Sequence, residues 1–196
     1  MAWYEIAMAS VALDPAYRRV SVDEFLRIDF GDAKAELIEG VIFMMAGAAT
    51  QHNLVSGNVF ATLRNKLRGT GCRPYGSDQA VRTGDCTIRY PDVSVFCGER
   101  AFPDDSRQLL LGEPTVVIEV LSPSTAQNDG HEKLPEYCAL EVMKCVILIA
   151  PDGERIRKVE RSADGGWTDR WLRADELLSI DALDIELDRA DIFARD

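Results

Sequence analysis

Two acidic residues stand in apolar segments of this sequence, where a carboxylate is costly to bury. Asp92 begins the segment Asp-Val-Ser-Val-Phe, and Glu119 lies inside Thr-Val-Val-Ile-Glu-Val-Leu. Both segments have the β-branched and aromatic residues that are typical of buried strands. A buried carboxylate needs a cation, hydrogen bonds or a metal ion to replace its lost hydration. Because a lysine, Lys133, follows in the next predicted helix, these residues predict a site for a hard cation.

The chemistry that this set of residues allows is metal-assisted hydrolysis of a phosphodiester. Mg²⁺ or Mn²⁺ prefers oxygen ligands, and Asp92, Glu119 and the main-chain carbonyl of Val120 would supply them. Such an ion polarises a phosphoryl oxygen and lowers the pKa of water. The ammonium group of Lys133 would offset negative charge in the transition state. Structural roles are the alternatives: Asp92 as a turn residue after Pro91, and Glu119 as the partner of a nearby arginine.

Local patterns predict the elements that would position these residues. Ser21 and Glu24 form a capping-box pattern, which predicts a short helix through Ile28. Two short strands are expected to turn near Glu39 and Gly40. The elements expected after them are a helix capped by Thr50 with Gly69 near its end, strands around Gln79–Arg82, Thr87–Tyr90, Asp92–Cys97 and Thr115–Leu121, a helix from about Asp129 to Glu141, a strand at Lys144–Ala150, and a hairpin of Arg155–Arg161 with Trp167–Arg173.

The order of these elements predicts the fold class. Helices and strands that alternate along the chain indicate one α/β domain over residues 1–196, with a mixed β-sheet flanked by helices. Residues 1–20 would form an N-terminal extension. Residues 151–196 would add the C-terminal hairpin and the short elements that follow it.

Size and composition exclude several classes of protein. A chain of 196 residues with 46% hydrophobic residues can bury a core as one domain. No apolar stretch approaches the roughly 20 residues of a membrane span, and the N-terminus lacks the basic region of a signal peptide. We therefore expect a cytoplasmic protein that does not bind membranes. Its five cysteines include no Cys-x-x-Cys pair, and we expect reduced thiols rather than zinc ligands.

The net charge of −11 is unevenly distributed along the sequence. Basic residues concentrate after position 60, and the candidates for contact with a nucleic-acid backbone are Arg64, Lys66, Arg68 and Arg73. We expect them near the rim of the acidic pocket. The alternative is that they only solvate one face of the molecule.

The sequence also resembles a known family through several motifs. These are Glu36-Leu-Ile-Glu-Gly, His52, Tyr-Pro-Asp92-Val-Ser-Val, Val-Ile-Glu119-Val-Leu-Ser-Pro-Ser-Thr, Asp129 and Lys133. Together they are similar to the Uma-two family of endonucleases, which belongs to the PD-(D/E)XK nuclease superfamily. The resemblance covers roughly Ser21 to Trp171, and it implies a restriction-endonuclease-like core.

The resemblance also implies roles for individual residues. Asp92 and Glu119 would bind the metal, and Lys133 would be the catalytic lysine. Glu36 would take the place of an additional acid that can join the metal site. The sequence differs from the superfamily pattern at Leu121, where a lysine is expected two residues after the second acid. Lys133, in the following helix, would replace that lysine.

Two further residues are candidates for supporting roles. His52, just after a predicted helix start, would contact substrate or orient a metal ligand, although a surface or hydrogen-bonding role is the ordinary alternative. Asp129 precedes Lys133 by one helical turn and would share its face.

The function expected from these observations is that of a Mg²⁺-dependent endonuclease acting on DNA, with Mn²⁺ as a substitute ion. We expect a homodimer, because cutting two strands needs two sites and two-fold pairs are the commonest assembly. Two other functions remain open. One is a nuclease-like fold that binds nucleic acid or protein without cutting, and the other is a metal-dependent hydrolase of smaller phosphoesters.

Overall fold

The computed structural model describes residues 18–122 and 132–195, which fall into two compact units. The smaller unit contains the described residues up to position 46 together with 84–89. The larger unit contains residues 47–83 and the described residues from position 90 onward.

The described residues form four α-helices and twelve strands in a mixed α/β arrangement. The strands are β1 (Ala35–Ile38), β2 (Val41–Met44), β3 (Cys72–Gly76), β4 (Val81–Gly84), β5 (Thr87–Arg89), β6 (Val93–Cys97), β7 (Val116–Val120), β8 (Cys145–Ala150), β9 (Arg155–Arg161), β10 (Trp167–Trp171), β11 (Leu178–Ile180) and β12 (Ile185–Leu187). The α-helices are α1 (Val22–Phe25), α2 (Thr50–Lys66), α3 (Leu134–Ala139) and α4 (Arg189–Ile192).

The smaller unit begins with the predicted capping box. The Ser21 hydroxyl accepts the amide hydrogen of Glu24, and the Glu24 carboxylate accepts the amide hydrogen of Ser21. Helix α1 ends at Phe25, earlier than the predicted Ile28. The turn between β1 and β2 lies at Glu39 and Gly40 as predicted, and both residues have positive φ. Strand β1 pairs with β2 on one side and with β5 on the other.

The larger unit is built on a six-stranded sheet in the order β10-β9-β8-β7-β6-β3. Strands β7 and β8 are parallel, and the other neighbouring pairs are antiparallel. The prediction of a mixed sheet is therefore confirmed. One face of the sheet packs against α2, and the other face packs against α3. Helices on both faces bury the central strands completely.

A stripe of apolar residues packs helix α2 against one face of the sheet. Val55, Val59 and Leu63 recur every four residues and are buried against the sheet. The prediction that Thr50 caps this helix was wrong, because Thr50 is its first residue and Ala49 is the N-cap residue. The predicted C-terminal hairpin is present as β9 and β10, and β11, β12 and α4 add apolar residues to the same core as α2.

Strand β3 at the sheet edge was not predicted, because Pro74 interrupts its pattern. A proline is tolerated on an edge strand, where its missing amide hydrogen breaks no ladder. Strand β3 places Cys72 directly opposite Cys97 of β6, and the two are joined by a disulfide bond. The expectation of five reduced thiols was therefore wrong for these two residues, since sequence separation hid their pairing.

None of the helices in the described part of the chain has the length and apolar character that a membrane crossing requires.

We predict that the thiols of this protein react in three groups. Cys86 is exposed and should react quickly with a thiol reagent, whereas Cys138 is half-buried and should react slowly. Burial raises the pKa of Cys145 to about 12, so its thiol should react only after unfolding. Unfolded protein should show three thiols without reductant and five with it. Five thiols without reductant would contradict the bond between Cys72 and Cys97.

Candidate active site

The two acids lie opposite each other at the ends of adjacent strands. Strands β6 and β7 are antiparallel with Val93 opposite Ile118, so the preceding and following residues, Asp92 and Glu119, meet at one edge of the sheet. The Asp92 Oδ2 atom accepts the amide hydrogen of Val120 at 2.7 Å. In return, the Asp92 amide donates to Glu119 Oε2 at 3.3 Å. These two hydrogen bonds fix the carboxylates of Asp92 and Glu119 next to each other.

Helix α3 supplies the partners of Glu119. The Tyr137 hydroxyl donates to Glu119 Oε1 at 2.7 Å, and Lys133 Nζ lies 3.6 Å from the same oxygen. The Glu119 side chain is only 5% exposed, so these contacts replace most of its hydration. Pro135 occupies the first turn of α3, where its missing amide hydrogen costs nothing.

Helix α2 supplies the partner of Asp92. His52 lies in its first turn, and His52 Nε2 is 3.1 Å from Asp92 Oδ2. This hydrogen bond raises the pKa of His52 above its usual value, while partial burial opposes the shift. The His52 imidazole therefore fixes the position of the Asp92 carboxylate. Its predicted supporting role is consistent with this position.

The donor atoms of the site decide which ion it could hold. Within residues 18–122 and 132–195, no three or more histidine, cysteine or acidic side chains group together as ligands of an ion. A zinc centre takes three or four such ligands. Mg²⁺ differs because it keeps several waters and accepts one or two carboxylates. Asp92 and Glu119 fit that requirement.

Asp92 also has an oxygen available for a ligand. Its hydrogen bonds to the described residues use the main-chain amide and Oδ2, which leaves Oδ1 for an ion. Val120 takes part in the site through its amide hydrogen. The role of the Val120 carbonyl as a metal ligand stays a prediction.

Two other predicted site residues, Glu36 and Asp129, stay predictions. Glu36 lies in the smaller unit, where its carboxylate is 3.0 Å from Arg89 and both side chains are nearly buried. This contact is that of a structural ion pair, and a part for Glu36 in a metal site stays a prediction. Asp129 lies outside the described residues.

The predicted basic residues lie at the C-terminal end of α2 and on β3, and their place at the rim of the acidic pocket stays a prediction. Arg64, Lys66 and Arg68 are exposed at the C-terminal end of α2, whereas His52 is at its start. Helical rise separates Arg64 from His52 by about 18 Å along the axis. Arg73 is on β3, with its guanidinium group 4.3 Å above the centre of the Phe102 ring.

Tyr137 is the residue of this site that sequence reasoning missed. It follows Lys133 by four positions, and side chains four positions apart share a helical face. That spacing was a usable signal. The spacing alone does not separate Tyr137 from an ordinary core residue, and in the structure Tyr137 is completely buried beside apolar neighbours.

A solved crystal structure has the same α/β fold. The crystal structure titled as "a putative nuclease belonging to DUF820", from Anabaena variabilis, matches with a TM-score of 0.74 and 19% sequence identity. The match covers 89% of this chain and 98% of that one. It shows that the two chains share a fold.

The family follows from the sequence match. Residues 22–190 match the model of the Uma2 family, the Uma-two family named above, which is described as "Putative restriction endonuclease". The chain belongs to this family. Membership implies a restriction-endonuclease-like core, a nucleic-acid substrate and use of a divalent metal.

Two proteins from Synechocystis are also similar to this chain. Uncharacterized protein slr1290 is 30% identical over 155 residues, which is 77% of this chain and 79% of that protein. Uncharacterized protein sll1609 is 29% identical over 135 residues, which is 68% of this chain and 76% of that protein.

We predict that Tyr137→Phe destabilises the protein through Glu119. The substitution removes one donor from a buried carboxylate and should lower the free energy of unfolding by about 2 kcal/mol in urea titrations. Tyr75→Phe is the matched control, because its hydroxyl donates to the neutral carbonyl of Ala101 at 3.0 Å. That change should cost about 1 kcal/mol or less. Equal losses in the two variants would show that the bond to Glu119 has no special strength.

Proposed function

We propose that this protein is a Mg²⁺-dependent endonuclease that hydrolyses phosphodiester bonds of DNA. The observation that carries the proposal is the cross-strand pair of Asp92 and Glu119, with Lys133 beside it. Two carboxylates and one ammonium group are the residue types that this reaction needs. Membership of the Uma2 family supports the same reading.

The acids would hold the ion, and the surrounding residues would fix the acids. A bound Mg²⁺ or Mn²⁺ supplies Lewis-acid polarisation of a phosphoryl oxygen and lowers the pKa of water. Asp92 is oriented by the amide of Val120 and by His52. Glu119 is oriented by Tyr137. Carboxylates fixed in this way do not have to reorganise when an ion binds.

Lys133 would act on the substrate rather than on the ion. Its side chain is 14% exposed, so it is partly shielded and still reachable from the solvent. A cation at this position would hold a nucleophilic water or offset the negative charge on the oxygens of the pentacoordinate transition state. Lys133 thereby fills the role of the lysine that is absent at Leu121.

We predict that Glu119→Gln abolishes Mg²⁺-dependent cleavage of DNA while the fold survives. The amide keeps the size of the side chain but lacks the charge that attracts a cation. Mg²⁺ should raise the melting temperature of the wild-type protein and leave that of the variant unchanged. Glu186→Gln is the matched control, because Glu186 is exposed on β12 and should tolerate the change.

A second variant separates metal binding from catalysis. Lys133→Met should retain the Mg²⁺-dependent rise in melting temperature and lose cleavage activity, because its proposed role lies in the transition state. If Glu119→Gln unfolds the protein and Mg²⁺ never raises the wild-type melting temperature, Glu119 is a structural residue. The proposal would then give way to a nuclease-like fold that binds without cutting. Cleavage that does not depend on DNA length would instead indicate a hydrolase of smaller phosphoesters.

We also predict that the basic end of α2 contributes to DNA affinity. Replacing Arg64 and Arg68 with Ala should reduce the slope of log affinity against log salt by roughly 0.9 for each lost phosphate contact. Duplex binding can be measured by fluorescence anisotropy in a chelator, which prevents cleavage. Arg107→Ala and Arg195→Ala form the control pair, since both arginines are exposed and pair with nearby acids. An unchanged slope in the first pair would assign Arg64 and Arg68 to solvation alone.

A further inference from the structure

The β9–β10 hairpin carries two stacked arginine–tryptophan pairs. The Arg161 guanidinium lies 5.5 Å from the centre of the Trp167 ring, and that of Arg155 lies 5.2 Å from the centre of the Trp171 ring. Trp167 is directly opposite Arg161, and paired residues lie on the same face of a sheet. Side chains alternate between the faces along each strand, so Arg155, Arg161, Trp167 and Trp171 share one face of the hairpin. The two pairs look alike but differ in their surroundings.

Packing explains the first pair. Trp167 is partly buried against the apolar core on the α3 side of the sheet. Arg161 donates to the carbonyl oxygen of Glu141 at 2.7 Å. Both side chains therefore stabilise the folded hairpin.

Packing does not explain the second pair. Trp171 is 48% exposed, and Arg155 is exposed beside it. Arg157, the residue opposite Trp171, is already neutralised by two hydrogen bonds to Asp169. Arg155 has no carboxylate partner among the described residues. An accessible indole and an unneutralised guanidinium group thus stand together on the surface.

The pairing register of the sheet relates this second pair to the acids. Glu119 is opposite Leu148, Leu148 is opposite Arg157, and Arg157 is opposite Trp171. Three strand spacings put Trp171 roughly 14 Å from Glu119 along this row. That distance corresponds to about four stacked nucleotides at roughly 3.4 Å each.

The charge of the hairpin identifies a polyanion as the partner. Of the six basic residues at positions 155–173, Arg157, Lys158, Arg170 and Arg173 pair with acids. Arg155 and Arg161 therefore carry the remaining positive charge of this segment, in a chain whose net charge is −11. A polyanion that avoids the acidic remainder would meet a cationic surface here. An exposed indole beside an arginine suits an unpaired base, because the base stacks while the cation meets a phosphate. A duplex does not offer its base faces in this way.

We propose that Arg155 and Trp171 form a stacking subsite for single-stranded DNA, about four nucleotides from the bond that is cut. The inference rests on the proposed nuclease function, since it gives that site an unpaired segment as part of its substrate. Stacking on an aromatic ring is tolerant of base identity. The subsite therefore selects unpaired DNA rather than a sequence.

The test measures binding without cleavage. A fluorescein-labelled oligothymidylate of about 12 nucleotides and a blunt duplex of the same length are titrated in a chelator by anisotropy. Trp171→Ala should weaken single-strand affinity by about fivefold or more, with duplex affinity changed by less than about twofold. Trp171→Phe should keep most of the affinity, because a phenyl ring also stacks, and this variant guards against misfolding of the alanine variant.

Matched variants control for charge and for the other tryptophan. Arg155→Ala should weaken single-strand binding more than Arg170→Ala, because Arg170 lies on the opposite face of β10 and pairs with Glu176. Trp167→Phe should leave the affinity unchanged. Equal losses on single strand and duplex, or no loss in Trp171→Ala, would overturn the subsite. Single-strand binding through Trp171 in a protein that cleaves nothing would uphold the subsite and refute the nuclease proposal.

Discussion

The burial of the Glu119 carboxylate is the constraint on which the site depends. This side chain lies in a strand whose five residues are all buried, so its lost hydration must be replaced by specific partners. Tyr137 and Lys133 supply them from α3, and the amide of Asp92 supplies another from β6. Each partner is expensive to remove, because removal would leave a buried charge unsatisfied. A site that can attract a cation is therefore also a site that locks three elements together.

The topology explains why those elements meet at this point. Parallel strands need a crossover connection, and α3 lies in the connection from β7 to β8. The start of α3 must therefore come near the carboxyl end of β7, where Glu119 stands. Helix α2 covers the opposite face of the sheet, and its first turn brings His52 to Asp92. Residues from both faces thus converge at one edge of the sheet.

Positive charge is concentrated in a few places on this acidic chain. A net charge of −11 repels nucleic acid as a whole, so contact with a polyanion requires local cationic surfaces. The described residues offer two such surfaces, the C-terminal end of α2 and the β9–β10 hairpin. The hairpin belongs to the same sheet as the two carboxylates, and the strand register aligns Trp171 with Glu119. The C-terminal end of α2 is separated from the carboxylates by most of the length of that helix.

The sequence by itself determined the α/β class, the family, the hairpin and the two strand acids, because periodicity, turn residues and a misplaced charge are local signals. Tertiary structure decided what is not local. The β6–β7 register set Asp92 against Val120, and the crossover brought Tyr137 to Glu119. The edge strand β3, which contains a proline, pairs with β6 and thereby brings Cys72 to Cys97, where the disulfide bond forms. Such contacts depend on register and strand order, which residue patterns within one element do not encode.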